Sequence, residues 1–318
     1  MIRFFSFRFL EQASTWRLWG ALFICSVLSF GAPLKAWASE VDPFTDRARV
    51  HFDLTDRLNA YVRTRLEIAL GDSNAFSHCD SRLLYTNLRE LLVSNPLSEI
   101  ELMILADHDT YPSVATEFGR SIFGGFGFLE SPGMHLTSLT MANLIRLNGQ
   151  VGGTDKLGHF FGQGWDIFSI ADIDERGLVA GLRAARVDED GKYGLGVNGV
   201  RSFADLAANY RGYEFWKNLT QYDSAHHRPA LLRCHSEGWR IVRDFDWRDY
   251  VDLAWDDGNN CFDARTPQMA RTIQARLQAL SRARGEPVQC PLQADACAQM
   301  RTLYGSVAEH VIHPSCLR

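Results

Sequence analysis

Two short segments combine charged side chains, an imidazole or an amide, and glycines at helical spacing. In the first, Asp155 and His159 lie four residues apart, with Lys156 between them. In the second, Asp205 and Asn209 repeat that spacing about fifty residues later. Residues four apart share one face of a helix. Two such helices packed side by side would bring two carboxylates, an imidazole and an amide into one polar pocket.

Glycines flank both segments, at positions 158, 162 and 212. Because glycine has no Cβ, these positions would let the two helices approach closely. The first chemistry that fits the pocket is metal-dependent hydrolysis. His159, Asp155 and Asp205 would hold a divalent metal that activates water, with Asn209 as a further oxygen ligand.

The second chemistry needs no metal. Asp155 or Asp205 would orient His159 as a general base, and Lys156 would hold an anionic substrate group. The candidate nucleophiles are hydroxyls, those of Ser202 and Thr154. Ser202, Lys156 and Asn209 are therefore the predicted substrate-binding residues.

The same residues also have a purely structural interpretation. A carboxylate such as Asp155 in the first turn of a helix is favoured by the macrodipole by about 0.3–1 kcal/mol. Ser202 and Asp205 form an S-x-x-D capping box. His159 would then be a hydrogen-bonded core histidine, and Asn209 would bridge the two helices.

The two segments in order resemble the shared pattern of VanZ-like membrane proteins and of YfiM-type bacterial lipoproteins. The resemblance covers about 60 residues. It is carried by Asp155, Lys156, His159 and Phe160 in the first half, and by Ser202, Asp205, Leu206, Asn209 and Gly212 in the second. It implies a polar site between two helices near a membrane, and no particular reaction.

This chain departs from the VanZ-like pattern in two ways. Those proteins span the membrane several times, whereas residues 39–318 contain no apolar run long enough for a span. They also carry a glutamate between the two motifs, and only Asp166 lies roughly in its place.

Helical periodicity dominates the rest of the chain. The predicted class is all-α or mainly α, a single compact helical domain with no large sheet. We expect residues 119–133, rich in glycine and aromatics, to form a loop or short hairpin, and residues 188–199 to form a turn-rich connector. The predicted helices cover Leu54–Leu66, Leu83–Leu92, Ser98–Ala106, Thr137–Asn148, Thr154–Phe168, Glu175–Val187, Leu206–Leu219 and Gln268–Arg284.

Residues 1–38 have the pattern of a secretory signal peptide. Three arginines precede an apolar run, Leu18–Leu34, and Ala36-Trp37-Ala38 fits a cleavage site before Ser39. An uncleaved N-terminal anchor is the alternative, because 17 residues is about the shortest span of a bilayer. Either interpretation predicts export to the periplasm or another extracytoplasmic location.

Six cysteines remain after residue 38, an even number that predicts disulfides in an exported protein. The pairing is open among the six, and no C-x-x-C pair favours zinc. Five of them follow residue 230, so we expect residues 220–318 to be a loop-rich, disulfide-stapled part and a candidate subdomain. The cysteines are Cys79, Cys234, Cys261, Cys290, Cys297 and Cys316.

Net charge and composition exclude one partner class. The whole chain has a formal charge of −5, and residues 39–318 carry 29 Lys and Arg against 37 Asp and Glu. The sequence has no cluster of Lys and Arg of the kind that binds nucleic acid.

Two further groups of residues could bind ligands, but a structural role explains each of them better. Asp107-His108-Asp109 is expected to be a solvated loop, since consecutive side chains diverge. The tryptophans at 239, 247 and 255 could line a glycan or lipid groove, but they are expected to belong to the core.

Three functions follow from these observations. The first is an exported, membrane-associated helical protein whose polar pocket binds an envelope lipid or glycan intermediate. The second is a metal-dependent hydrolase that uses the same residues. The third is a structural or interaction protein in which they lock two helices together.

Overall fold

The computed structural model describes residues 40–93, 98–136 and 141–318. The proposed signal segment and Cys25 lie outside them. The described chain is mainly helical, as predicted. Its α-helices are α1 (Thr55–Phe76), α2 (Ser81–Leu92), α3 (Glu99–Ala106), α4 (Pro132–Leu136), α5 (Asp155–Gly158), α6 (Gly164–Phe168), α7 (Leu178–Asp188), α8 (Phe203–Asn218), α9 (Asp257–Asn260), α10 (Pro267–Arg284), α11 (Ala296–Tyr304) and α12 (Ala308–Val311).

Six short strands form three antiparallel pairs among the described residues. These pairs make the fold mainly α rather than all-α. β1 (Leu144–Leu147) pairs with β2 (Gln150–Gly153), β3 (Val200–Ser202) with β6 (Phe262–Ala264), and β4 (Leu232–His235) with β5 (Gly238–Ile241).

The first hairpin corrects one prediction. The helix expected over Thr137–Asn148 is absent from its described part, where β1 instead turns into β2 through Asn148 and Gly149. Both turn residues have positive φ, 49° and 74°. An Asn-Gly pair favours this two-residue hairpin turn, and its local preference outweighs the helical spacing of the preceding leucines.

The N-terminal helices form as their apolar stripes predict. Leu58, Val62 and Leu66 of α1 are buried, and α1 begins where Asp53 Oδ1 accepts a hydrogen bond from Thr55 N at 2.9 Å. Leu84 and Leu88 of α2 face the same core. Burying a leucine side chain contributes about 1.5–3 kcal/mol, so these stripes fix the faces that the two helices turn inward.

One nearly continuous helical segment follows β2. α5 leads into a π-helical turn, His159–Gln163, then α6, then a second π-helical turn, Ser169–Ile173. A third π-helical turn, Glu189–Tyr193, ends α7. The predicted connector over 188–199 is therefore helical in its first turn. Such widened turns occur often at functional sites.

Helix α8 is the central element of the fold. All of its sixteen residues except Tyr210 and Lys217 are buried. Its N-terminus is capped as predicted, because Asp205 N donates to Ser202 Oγ at 3.0 Å. A helix that is buried on every side can present polar residues only to protein neighbours.

Aromatic rings fill the space around α8. Trp239, Trp247 and Trp255 are all buried, which confirms their predicted core position. The Phe160 ring lies 4.8 Å from that of Trp247 and 5.3 Å from that of Phe215. The predicted loop at 107–109 is also confirmed, since all three side chains are exposed.

Three disulfides join the six cysteines as Cys79–Cys234, Cys261–Cys290 and Cys297–Cys316. Two lie entirely beyond residue 230, and the third ties that part of the chain to the short connection between α1 and α2. Disulfides indicate an oxidising environment. No helix in residues 40–93, 98–136 and 141–318 has the length and apolar character to cross a membrane.

Candidate functional site

The close packing of two glycines brings the predicted helices together. A Cβ added to Gly164 would lie 2.6 Å from Gly212 Cα, and one added to Gly212 would overlap the Phe160 carbonyl oxygen. Of the three predicted contact glycines, Gly212 therefore plays this part, with Gly164 as its partner. Gly158 instead packs against the Glu101 carboxyl. A Cβ added to Gly162 would meet only a Val93 methyl, at an ordinary contact distance of 3.7 Å.

The two polar segments face one another across this contact. His159 Nε2 lies 3.3 Å from Asp205 Oδ2, and His159 Nδ1 lies 3.0 Å from Asn209 Oδ1. One ligand atom each from Asp155, His159 and Asp205 lies within 4.8 Å of the other two. The structure thus brings together the residues that the spacing singled out.

Lys156 sits among three carboxylates. Its Nζ is 2.9 Å from Asp155 Oδ2, 2.5 Å from Asp205 Oδ1 and 3.1 Å from Asp257 Oδ2. The Lys156 side chain is only 1% exposed. Its ammonium group is therefore engaged with protein carboxylates rather than presented to an external anion.

Four acidic residues of this cluster were missed by the sequence analysis: Glu40, Glu101, Glu189 and Asp257, all of them buried. Asp257 opens α9, and its Oδ1 accepts a hydrogen bond from Ser202 Oγ at 2.5 Å. Glu101 accepts one from Ser98 Oγ at 2.7 Å. A signal for Glu101 was present, because Ser98 and Glu101 have capping-box spacing. No local pattern marks the other three, which reach the cluster only through the tertiary fold.

Burial controls the ionisation of the carboxyl groups. It raises the pKa of Glu40 and that of Glu189 well above the ordinary value, and the nearby Asp205 carboxylate adds to both shifts. Burial raises the pKa of Asp257 to about 7, against the lowering effect of Lys156. It also raises the pKa of Asp155, again opposed by Lys156. The cluster therefore holds protons that exposed carboxyls would release.

The Lys156 ammonium responds in the opposite way. Burial lowers the pKa of Lys156, but the negative charges of Asp155, Asp205 and Asp257 outweigh burial and hold that pKa well above its usual range. Lys156 is thus a permanent internal cation. Two buried acceptors nearby, Asp155 Oδ1 and Glu189 Oε2, have no hydrogen-bond partner among the described residues.

The Asn209 amide determines which nitrogen of His159 is free. With its oxygen on Nδ1, that nitrogen carries the proton and Nε2 keeps a lone pair. With the amide turned by 180°, its NH2 donates to Nδ1 at 3.0 Å, to His159 O at 3.2 Å and to Asp205 O at 3.1 Å. Nε2 then carries the proton and lies 3.3 Å from Asp205 Oδ2. The turned orientation satisfies the amide better, because in the other one its oxygen faces the carbonyl oxygens of His159 and Asp205. A cation on Nε2 would need the first arrangement, with the ring proton on Nδ1 and the amide turned back.

The cluster is enclosed. Asp155, Lys156, His159, Asp205 and Asp257 have side chains no more than 5% exposed. Ser202 is fully buried, and its hydroxyl both caps α8 and donates to Asp257.

A cleft of about 300 Å³ is lined by residues of α6, α7 and the π-helical turns that adjoin them. Its wall includes Asp166, Asp188 and Lys192. Between Asp188 and Lys192 on the same turn, Glu189 is buried toward the cluster, and the half-buried Tyr193 ring stands edge-on to the His159 ring. The turn Glu189–Tyr193 therefore separates the cleft from the cluster.

Comparisons of the chain with protein-family models, with curated proteins and with solved structures found no significant match.

Proposed function

We propose that this chain is an exported cell-envelope protein that binds one divalent cation at Asp155, His159 and Asp205. The observation that carries this proposal is the convergence of one imidazole and two carboxylates, with ligand atoms within 4.8 Å of one another, in a fully buried site. Buried charges are normally paired or bound to a metal.

The charges of the cluster support a divalent ion. Lys156 neutralises one of the three carboxylates that it contacts, those of Asp155, Asp205 and Asp257. A cation of charge two neutralises the remaining two. Without it, the surplus negative charge has to be removed by protonation, in agreement with the raised pKa values of Asp155 and Asp257. Cation binding would then release protons.

The donor set indicates the class of metal. One imidazole nitrogen with carboxylate oxygens suits Zn²⁺ or Mn²⁺ better than the all-oxygen preference of Ca²⁺ and Mg²⁺. Asn209 would fix the orientation of the His159 ring through its contact with Nδ1, the nitrogen that does not bind the cation. Lys156 would keep Asp155 and Asp205 in place while drawing off part of their charge.

The enclosure favours a bare ion over a larger ligand. An envelope lipid or glycan headgroup would need an opening at residues whose side chains are at most 5% exposed. Binding of a lipid or glycan therefore remains a prediction. Metal-dependent hydrolysis also remains a prediction. The resemblance to VanZ-like and YfiM-type proteins also stays a prediction. Export is supported by the signal-like segment 1–38 and by the three disulfides.

Calorimetric titration of chelator-treated, oxidised protein with Zn²⁺ and with Mn²⁺ tests the proposal. We expect one site per chain. Asp155→Asn and His159→Gln should each weaken binding by more than the roughly 10–100-fold lost when an outer-shell partner is removed. Asp166→Asn is the matched control, because it also replaces a carboxylate by an amide on the same helical segment but lies at the cleft. This variant should bind the cation like the wild type.

Circular dichroism must show that each variant is folded. A folded wild-type protein that takes up neither ion would overturn the proposal, and so would folded Asp155→Asn and His159→Gln variants with undiminished affinity. Absence of binding together with a large loss of melting temperature in both variants would instead support the structural lock.

A further inference from the structure

A second group of metal-binding side chains lies far along the chain from the buried cluster. The sulfurs of Cys79 and Cys234 and one ring nitrogen of His78 lie within 4.8 Å of one another. Cys79 and Cys234 form a disulfide in this structure. It is the one disulfide of the three in which neither cysteine is buried, because Cys261 and Cys316 are buried in the other two.

The contacts of the His78 ring leave one of its nitrogens free to bind a metal. Its Nε2 lies 3.1 Å from the Ser236 carbonyl oxygen. A carbonyl oxygen only accepts, so Nε2 carries the proton and Nδ1 keeps its lone pair. A backbone carbonyl on the second ring nitrogen is the usual outer-shell partner of a metal-bound histidine.

The two cysteine segments are held together by more than the disulfide. The Asn74 side chain near the end of α1 donates to Trp239 O at 2.9 Å and accepts from Trp239 N at 2.8 Å. This pair of bonds docks β5 onto α1 a few residues from Cys79 and Cys234. The two sulfurs would therefore stay close after the bond between them is broken.

We propose that reduction of Cys79–Cys234 converts this place into a zinc site. The ligands are the thiolates of Cys79 and Cys234 and the Nδ1 atom of His78, with water as the fourth ligand. A dithiol supplies the two electrons and two hydrogens that break the S–S bond and is itself oxidised to a disulfide. When Zn²⁺ binds, the two thiol protons leave to solvent. The proposal does not depend on the buried Asp155–His159–Asp205 site.

Co²⁺ is the probe that separates the two sites, because only thiolate ligation gives an intense sulfur-to-cobalt charge-transfer absorption. Wild-type protein would be reduced with a phosphine, freed of it without air, and titrated with Co²⁺ and then with Zn²⁺. We expect one equivalent of the thiolate signal in reduced protein, none in oxidised protein, and displacement of Co²⁺ by Zn²⁺.

Two variants identify the ligands. Cys79→Ser/Cys234→Ser leaves the other two disulfides in place, so any thiolate signal that it still gives after reduction comes from those cysteines. His78→Ala keeps both thiols and should weaken binding at least tenfold, whereas His108→Ala, an exposed histidine elsewhere, should not. An unchanged thiolate signal in the double cysteine variant, or an unchanged cobalt affinity in His78→Ala, would overturn the proposal. Reduced wild-type protein that unfolds or binds no cobalt would also overturn it.

Discussion

The ring of Tyr193 stands edge-on to the imidazole of His159, with centroids 6.0 Å apart and ring planes at 75°. Tyr193 is only half-buried, whereas His159 is buried. This ring is therefore one of the groups between the polar cluster and solvent.

Removing that ring should speed the exchange of a bound cation. In Tyr193→Ala we expect release to a chelator, followed by stopped-flow absorbance, to be several-fold faster, with the affinity at equilibrium little changed. The reason is that a covering side chain affects the energy barrier to release of the cation, whereas the residues that bind the cation stay the same. Tyr222→Ala, which removes an exposed tyrosine, should leave the rate as it is. Equal rates in both variants would mean that ions enter elsewhere.

Loss of the internal cation should destabilise the protein strongly. Lys156→Met leaves Asp155, Asp205 and Asp257 without their shared ammonium group, and breaking a buried ion pair in this way costs about 3–5 kcal/mol. Urea unfolding would measure the loss. Lys192→Met, an exposed lysine paired with Asp188, should change stability by no more than about 0.5 kcal/mol.

A second substitution should reverse part of the Lys156→Met effect. Adding Asp257→Asn removes one of the unneutralised carboxylates, so the double variant should be more stable than Lys156→Met alone. Equal stability of the single and double variants would contradict the proposed charge balance.

Glu101 should make stability depend on pH. Burial raises the pKa of Glu101 to about 8 from 4.5, against the hydrogen bond from Ser98. The folded state therefore keeps a proton that the unfolded state loses. This contribution to stability is complete below pH 4.5, and it is lost as pH rises toward and through 8.

Glu101→Gln removes that dependence. At pH 8.5 the variant should be more stable than the wild type, by a few kcal/mol at most, because each unit of pKa difference corresponds to about 1.4 kcal/mol. At pH 4 the two should be alike. Melting temperatures across this range test it, with the exposed Glu90→Gln as the control. A difference in stability between Glu101→Gln and the wild type that grows toward low pH would contradict this prediction.

The contact between Gly212 and Gly164 should not tolerate a methyl group. In Gly212→Ala the new Cβ would overlap the Phe160 carbonyl oxygen, and overpacking of this kind costs about 1–3 kcal/mol or more. Gly71→Ala, at an exposed position of α1 with open space around it, should instead stabilise by about 0.5–1 kcal/mol. Chemical denaturation should therefore give changes in the free energy of unfolding of opposite sign for the two variants. A neutral Gly212→Ala would show that the helices can move apart.

Local patterns predicted the parts of this fold that depend on neighbouring residues. The capping of α8 by Ser202, the start of α10 at Pro267 and the inward faces of α1 and α2 all follow from spacing and residue type. The β1–β2 hairpin was also within reach, because Asn148-Gly149 is a strong turn signal that the leucine spacing obscured.

The site was only partly predictable for a physical reason. The pairs Asp155–His159 and Asp205–Asn209 stand out because each shares one helix face. Glu40, Glu189 and Asp257 show no such pattern, since their position depends on the packing of distant segments. The three π-helical turns also lack a sequence signal that we recognised.

The side chains of the cluster come from residue 40 to residue 257 of the chain. During synthesis, no shorter product can assemble the complete set, and the carboxyl groups remain hydrated until the last segment docks. A cation would then be acquired late, in whichever compartment the finished polypeptide folds. The metal supply of that compartment, rather than that of the ribosome's surroundings, would determine which ion the protein carries.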